Sequence, residues 1–79
     1  MMKKMTCKQL GGACDLEFEA ETFEEMSEKS KKHGMEMFQK QDEAHLNAMA
    51  EMRNLMQSPE DMQKWMEDRK AEFDNLPSF

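Results

Sequence analysis

The pattern of apolar and polar positions predicts a β-hairpin at the start of the chain. Apolar residues alternate with carboxylates along its second half, where one side carries Cys14, Leu16, Phe18 and Ala20. This period of two is typical of a half-buried strand. Gly11-Gly12 accepts positive φ, so the chain can reverse there and residues 3–8 can form the partner strand. We therefore expect an antiparallel ribbon with one buried face.

A long first helix is predicted from about residue 22 to about residue 40. Thr22-x-x-Glu25 is a capping box, in which the hydroxyl accepts the backbone N–H three residues later. The inward stripe then follows at helical spacing through Phe23, Met26, Ser30, Gly34, Met37 and Phe38. Lys31-Lys32-His33-Gly34 has the composition of a helix stop. The phase of the stripe nevertheless favours a helix that continues through Gly34, at a cost of ~1 kcal/mol.

Two further helices are predicted beyond residue 41. Asp42 is the predicted cap of the second helix, whose buried stripe comprises Leu46, Met49, Met52, Leu55 and Met56. Ser58-Pro59 begins the third helix, with the serine as N-cap and the proline at the first helical position. Its inward stripe comprises Met62, Trp65, Met66, Arg69 and Phe73.

This order of elements predicts an α+β fold in a single domain over residues 1–79. Two short strands are not stable alone, so the hairpin must lay its Leu16 and Phe18 face on an apolar helix, and the first helix is the nearest candidate. Residues 3–41 would form this hairpin–helix unit. Residues 42–79 would add a helical hairpin to it.

Length and charge narrow the classes of function. A chain of 79 residues buries only about 60–65% of its unfolded surface, so a bound metal or self-association is a sensible supplement to its core. The net charge of −6 argues against nucleic-acid binding. No apolar run approaches the ~20 residues of a membrane span, and no signal-peptide core follows the first lysines. We expect a cytoplasmic protein, in a reducing compartment where disulfides are rare.

Two thiols are the first candidates for chemistry. If the hairpin buries one face, Cys7 and Cys14 both point inward, beneath the first helix. A tight turn at Gly11-Gly12 would pair Cys7 with Leu16, whereas a loop over 8–13 would pair the two cysteines directly. Free cysteines are often small core residues, and this is the alternative to a metal site. The Cys-x6-Cys spacing is also longer than that of the tight zinc knuckles.

An imidazole would complete a set of three ligands. His33 stands one helical turn from Ser30 and from Met37, so it can face the hairpin. Beside two thiolates it gives a zinc-type set, whereas a histidine on the flank of a helix is the alternative. A closed structural site needs a fourth ligand. His45 on the second helix, a water or a residue of a second subunit could supply it, whereas Asp15 should point away.

Eleven methionines are an excess for this length. The spacing of Met35 and Met37, and of Met49, Met52 and Met56, resembles a soft thioether set for Cu(I), but a core or partner surface is favoured because methionine is adaptable. No phosphate loop and no nucleophilic triad is recognisable, so we expect no enzyme. A redox role for the two thiols is a further alternative, although nothing in the sequence marks a lowered pKa.

The residues over about 3–38 resemble the family called domain of unknown function 1059, short prokaryotic proteins described as predicted small metal-binding proteins. The resemblance rests on Cys7-x-x-Leu10-Gly11-x-x-Cys14-Asp15, Phe18, Glu21-Thr22-x-Glu24-Glu25 and His33. It implies a β-hairpin followed by a helix, with metal at the two cysteines and His33. Members often carry a second histidine shortly after the first, where this chain has Met35-Glu36-Met37-Phe38.

The sequence thus predicts a small non-enzymatic cytoplasmic protein with a zinc-type site at Cys7, Cys14 and His33. The alternative is a methionine-rich module that self-associates or binds a protein partner through its helices, with structural cysteines. In either case we expect a homo-oligomer formed through the helices, and neither a nucleic acid nor a membrane as partner.

Overall fold

The computed structural model describes residues 1–78, and this part of the chain forms a two-stranded sheet followed by three helices. The strands are β1 (Lys3–Thr6) and β2 (Glu17–Ala20), joined through a short 3₁₀ turn at Lys8–Leu10. The helices are α1 (Phe23–Gln39), α2 (Glu43–Leu55) and α3 (Pro59–Asp74). The predicted α+β class, with an N-terminal hairpin followed by helices, is confirmed.

The strands pair antiparallel with Met5 opposite Phe18. Beyond the ladder the same register continues for one bond, in which the Cys7 N–H donates to the Leu16 carbonyl at 2.8 Å. This is the register expected for a turn at Gly11-Gly12, but the connection contains a 3₁₀ turn that ends at Gly11, where φ is +93°.

The predicted second strand was too long at its start. β2 begins at Glu17, and the Leu16 side chain, predicted on the buried face, is 49% exposed. The alternation fails there because residues 8–15, beyond the Cys7–Leu16 bond, leave the ladder. Their backbone bonds join the loop to itself instead, as when the Lys8 N–H donates to the Cys14 carbonyl at 3.1 Å. Cys7 and Cys14 therefore both lie in this loop and not in the strands.

The first helix begins as predicted, and it passes through Gly34. The Thr22 hydroxyl caps it by accepting the Glu25 N–H at 3.2 Å. Of the predicted stripe, only Phe23 and Met26 are fully buried, and Phe38 at its other end is 55% exposed. After α1 the chain reverses at Gln41, whose φ is +57°. This left-handed residue lies between the end of α1 at Gln39 and the start of α2 at Glu43.

The second helix contributes little apolar burial. Within α2, which the structure describes in full, His45 is the one fully buried side chain. The rest of the predicted stripe is half-buried at Leu46, Met49 and Met52. Leu55 was wrongly predicted to be buried: it is 64% exposed, because it lies at the last turn of α2 on the margin of this stripe.

The third helix packs on the rest of the fold through its C-terminal end. Its start is capped as predicted, with the Ser58 hydroxyl accepting the Asp61 N–H at 3.1 Å. Phe73 is its fully buried residue and lies edge-on to Phe23, with ring centroids 5.9 Å apart. Lys3 Nζ donates to the Phe73 carbonyl at 3.0 Å. The predicted inward residues nearer the start of the helix, Met62 and Met66, are exposed.

The core lies between the hairpin, α1 and the end of α3. It comprises Met5, Cys7, Leu10, Phe18, Ala20, Phe23, Met26 and Phe73. Packing of the Phe18 face on α1 is therefore as predicted, although Leu16 is not part of it. Among the described residues, no helix has the length and apolar character needed to cross a membrane.

Candidate metal centre

Four potential metal ligands meet where the hairpin loop, α1 and α2 come together. Cys7 and Cys14 come from the loop, His33 from α1 and His45 from α2. One donor atom from each lies within 4.8 Å of all the others. A tetrahedral zinc site, with Zn–S near 2.3 Å and Zn–N near 2.0 Å, places its ligand atoms about 3.3–3.8 Å apart. The four atoms are thus within a small movement of that geometry.

Cys7 is held by the backbone of the 3₁₀ turn. It is buried, and its carbonyl accepts the N–H groups of Leu10 at 3.1 Å and of Gly12 at 2.8 Å. A Cβ on Gly12 would overlap the Cys7 sulfur. Glycine is therefore required at this position, because the loop backbone passes directly beside the thiol.

Each sulfur lies close to an imidazole nitrogen. Cys14 Sγ is 3.3 Å from His33 Nε2, and Cys7 Sγ is 3.6 Å from His45 Nε2. The two imidazoles are edge-on to one another, with centroids 5.2 Å apart. His33 is also edge-on to Phe18 at 5.6 Å. Both Nε2 atoms therefore face the sulfurs, as ligation through Nε2 requires.

The far side of the His45 ring contacts the cap of α2. Asp42 Oδ2 lies 2.5 Å from His45 Nδ1 and accepts the His45 backbone N–H at 3.0 Å. This hydrogen bond is the main cause that raises the pKa of His45, and it also lowers the pKa of Asp42.

The two thiols differ in their electrostatic surroundings. Burial raises the pKa of the Cys7 thiol. Burial also acts to raise the pKa of Cys14, but the backbone N–H of Leu16 and the contacts with His45 and Cys7 outweigh it and lower that pKa. A metal ion binds thiolates, so it would have to displace the Cys7 proton in particular.

A cavity of about 300 Å³ adjoins the centre. Cys7, His33 and His45 form one wall of it. Four thioethers, from Met49, Met52, Met56 and Met62, also line the cavity, together with Arg53. The methionines thus give the centre apolar surroundings, which weaken competition by water for charged ligands.

The structure brings together all three residues predicted from the sequence, Cys7, Cys14 and His33. Of the three alternatives for a fourth ligand, the one present in the chain, His45, joins them. Asp15 is exposed and paired with Lys8 at 3.4 Å. The sequence-based interpretation underrated His45 and missed its contact with Asp42. The signal was the spacing Asp-x-x-His at a predicted helix start, which places both side chains on one turn.

In comparisons with known proteins, the chain matches no family model, no curated protein and no solved structure. The resemblance to domain of unknown function 1059 therefore stays a prediction.

Proposed function

We propose that this protein binds one zinc ion through Cys7, Cys14, His33 and His45, and that the ion has a structural role. The observation that carries the proposal is the convergence of two sulfurs and two imidazole nitrogens within 4.8 Å. These four atoms come from three separate elements of the fold. On this proposal the protein is not an enzyme. It works in a reducing compartment such as the cytoplasm, where its thiols stay available to metal.

The donor set supports zinc. Thiolates and imidazoles in a tetrahedral arrangement suit Zn²⁺, whereas Mg²⁺ and Ca²⁺ prefer oxygen ligands. Four protein ligands also leave no coordination position for water or substrate, which is typical of structural rather than catalytic zinc. The thioethers line the neighbouring cavity, so the ligand set needs no methionine.

The ion would tie α2 to the rest of the fold. His45 is the one side chain that α2 buries fully, and it is polar. A buried imidazole beside two thiols stabilises little by itself, but as a metal ligand it links α2 covalently, through the ion, to the loop and α1. Small chains commonly use a metal in this way, and the binding free energy then becomes folding free energy.

Metal content and titration test the proposal. The protein purified without chelators is analysed for bound elements, stripped, and titrated with Zn²⁺. We expect one zinc per chain, and Cys14→Ser should lose it. Asp15→Asn is the matched control, because this neighbouring carboxylate is exposed and paired with Lys8. A stripped protein that takes up no zinc, or a Cys14→Ser variant that binds as the parent does, would refute the proposal.

Exposed apolar side chains favour a second candidate function, self-association through the helices. Met35 and Phe38 on α1 and Leu55 on α2 are all more than half exposed. Association of two copies would cover such residues. Sedimentation velocity over a range of concentrations tests this: a concentration-dependent dimer that Phe38→Glu abolishes supports it, and a monomer at all concentrations excludes it.

A further inference from the structure

We propose that Asp42 is a positioning residue of the metal centre, which holds the His45 ring with Nε2 directed at the ion while it caps α2. This inference rests on the proposed zinc site. It concerns a residue that is not itself a ligand and that lies outside the part of the chain resembling a known family.

Two contacts with one carboxylate oxygen carry the inference. Asp42 Oδ2 accepts the backbone N–H of His45 at 3.0 Å, and the same oxygen lies 2.5 Å from His45 Nδ1. An ionised carboxylate only accepts, so the ring proton must be on Nδ1. In the neutral imidazole, Nε2 then carries the lone pair, and this atom faces Cys7 Sγ at 3.6 Å. The hydrogen bond therefore selects the tautomer that can ligate through Nε2.

The side chain that caps α2 differs in chemical type from those that cap α1 and α3. In α1 and α3 the capping oxygen is a hydroxyl, from Thr22 and Ser58, and it accepts the N–H three residues later at 3.2 and 3.1 Å. Asp42 makes the same capping hydrogen bond, to the N–H three residues later at 3.0 Å, although its φ is −66° and not near −125° as at the other two caps. There, however, the cap is a carboxylate and the residue three positions later is an imidazole. Capping alone needs no charge, whereas orienting a metal-bound histidine is the usual role of a carboxylate behind it.

Little else on α2 fixes the His45 ring. The helix buries no apolar side chain fully, so packing along α2 does not set its position. His33 differs, because its ring lies against Phe18 of the hairpin. The carboxylate is thus the contact on the outer side of His45, opposite the sulfurs. Its loss should affect this ligand and leave His33 in place.

Two substitutions separate capping from positioning. Asp42→Ser keeps a capping oxygen, as in α1 and α3, but its hydroxyl is too short to replace the ring contact. Asp42→Asn keeps an oxygen acceptor without the charge. Ser58→Ala removes a cap from α3 and leaves the centre untouched. Each variant is stripped of metal and titrated with Co²⁺, whose visible absorption reports tetrahedral coordination, and then with competing Zn²⁺.

We expect Asp42→Ser to bind both ions about 10–100-fold more weakly than the parent, and Asp42→Asn to lie between the two. Ser58→Ala should bind as the parent does. Nitrogen-15 NMR of the metal-free proteins provides an independent readout: the His45 proton should reside on Nδ1 in the parent and distribute over both nitrogens in Asp42→Ser. A purely capping role for Asp42 would change neither quantity.

The outcomes distinguish the two proposals. If the parent binds Co²⁺ and both Asp42 variants bind it as tightly as the parent does, the positioning role is wrong and the zinc site stands. Equal weakening by Ser58→Ala and Asp42→Ser would also overturn it, since general loss of helix capping would then be the cause. If the parent takes up no Co²⁺ or Zn²⁺, the zinc site itself is wrong and the positioning role falls with it. Should Asp42→Ser fail to fold, the comparison of Asp42→Asn with the parent decides.

Discussion

The hairpin and α1 are held together in a different way from α2. The first region buries apolar side chains completely, among them Met5, Ala20 and Met26. The second buries one polar side chain, His45, and otherwise presents half-buried methionines to a cavity. Burial of apolar surface stabilises the first region without any ligand. By contrast, the proposed zinc link through His45 would hold α2 against the loop it faces.

Burial of apolar side chains alone therefore does not account for the position of α2. The tests of this difference are interventions that affect one region and spare the other. Metal removal should destabilise α2, whereas truncation of a core residue should destabilise the hairpin and α1.

Metal removal should give the largest effect. At a free zinc concentration 1,000 times Kd, binding stabilises the folded state by about 4.1 kcal/mol, and a chelator removes this contribution. Amide hydrogen exchange should then increase over α2 well before it increases over α1, because His45 loses its link to the loop. Equal protection of α2 with and without chelator would show that the ion does not hold this helix.

Truncation in the apolar core should come next. Met26 is completely buried between α1 and the hairpin. Met26→Ala should lower the free energy of unfolding by about 3 kcal/mol, through lost transfer energy and a cavity. Met66→Ala is the control on the exposed side of α3, and its effect should stay within about 0.5 kcal/mol. Urea unfolding measures both, and similar values for the two variants would contradict the description of the core.

A matched pair of glycine substitutions should have smaller effects of opposite sign. Gly12→Ala places a Cβ on the Cys7 sulfur, so the zinc-loaded protein should lose about 1–3 kcal/mol as the loop shifts. Gly34→Ala meets only Met49 Cε at 3.8 Å, an ordinary contact, and should gain up to about 1 kcal/mol of helix stability. Thermal unfolding with excess zinc distinguishes them. A harmless Gly12→Ala would mean that the loop backbone does not position Cys7.

The smallest effect should be the pH dependence of the metal-free protein. The Asp42 contact raises the pKa of His45, so its stabilising contribution is complete below about pH 6.5 and is lost as pH rises through the folded-state pKa. The pKa of Asp42 is lowered, so its contribution is present above about pH 4 and is lost as pH falls through the folded-state value. The parent should therefore exceed Asp42→Asn in stability most clearly between these two pH values.

With zinc bound, the pH dependence should have the opposite sign on the alkaline side, because protons compete with the metal for the thiolates and imidazoles. Denaturant unfolding of both proteins at a series of pH values, with zinc and with chelator, measures the two trends. A stability difference that grows above pH 7 in the metal-free protein would contradict the role given to the Asp42 contact.

Much of the fold followed from local sequence signals. The caps at Thr22, Asp42 and Ser58 are determined within one helical turn, so the helix starts were predictable. Burial was less so. The alternation that placed Leu16 inside holds only within the ladder, and the stripe that included Leu55 describes α2 without its neighbours. Exposure at such margins depends on which element covers them, which no local pattern determines.

Three of the four residues of the candidate site were predictable from the sequence. Cys7, Cys14 and His33 belong to the hairpin and the helix that packs on it, so their approach follows from one packing step. His45 joins them after the chain reverses at Gln41, which takes a left-handed conformation with φ of +57°. That conformation is uncommon outside glycine, and nothing in the sequence marks it here.

X-ray absorption spectroscopy of the zinc-loaded protein tests the central claim most directly, because it identifies and counts the atoms bound to the ion. We predict two sulfur neighbours at about 2.3 Å and two nitrogen neighbours at about 2.0 Å. Replacing His45 by glutamine should remove one nitrogen and leave both sulfurs. A coordination shell of nitrogen and oxygen alone, or one that the His45 substitution leaves unchanged, would contradict a centre built from both thiols and both imidazoles.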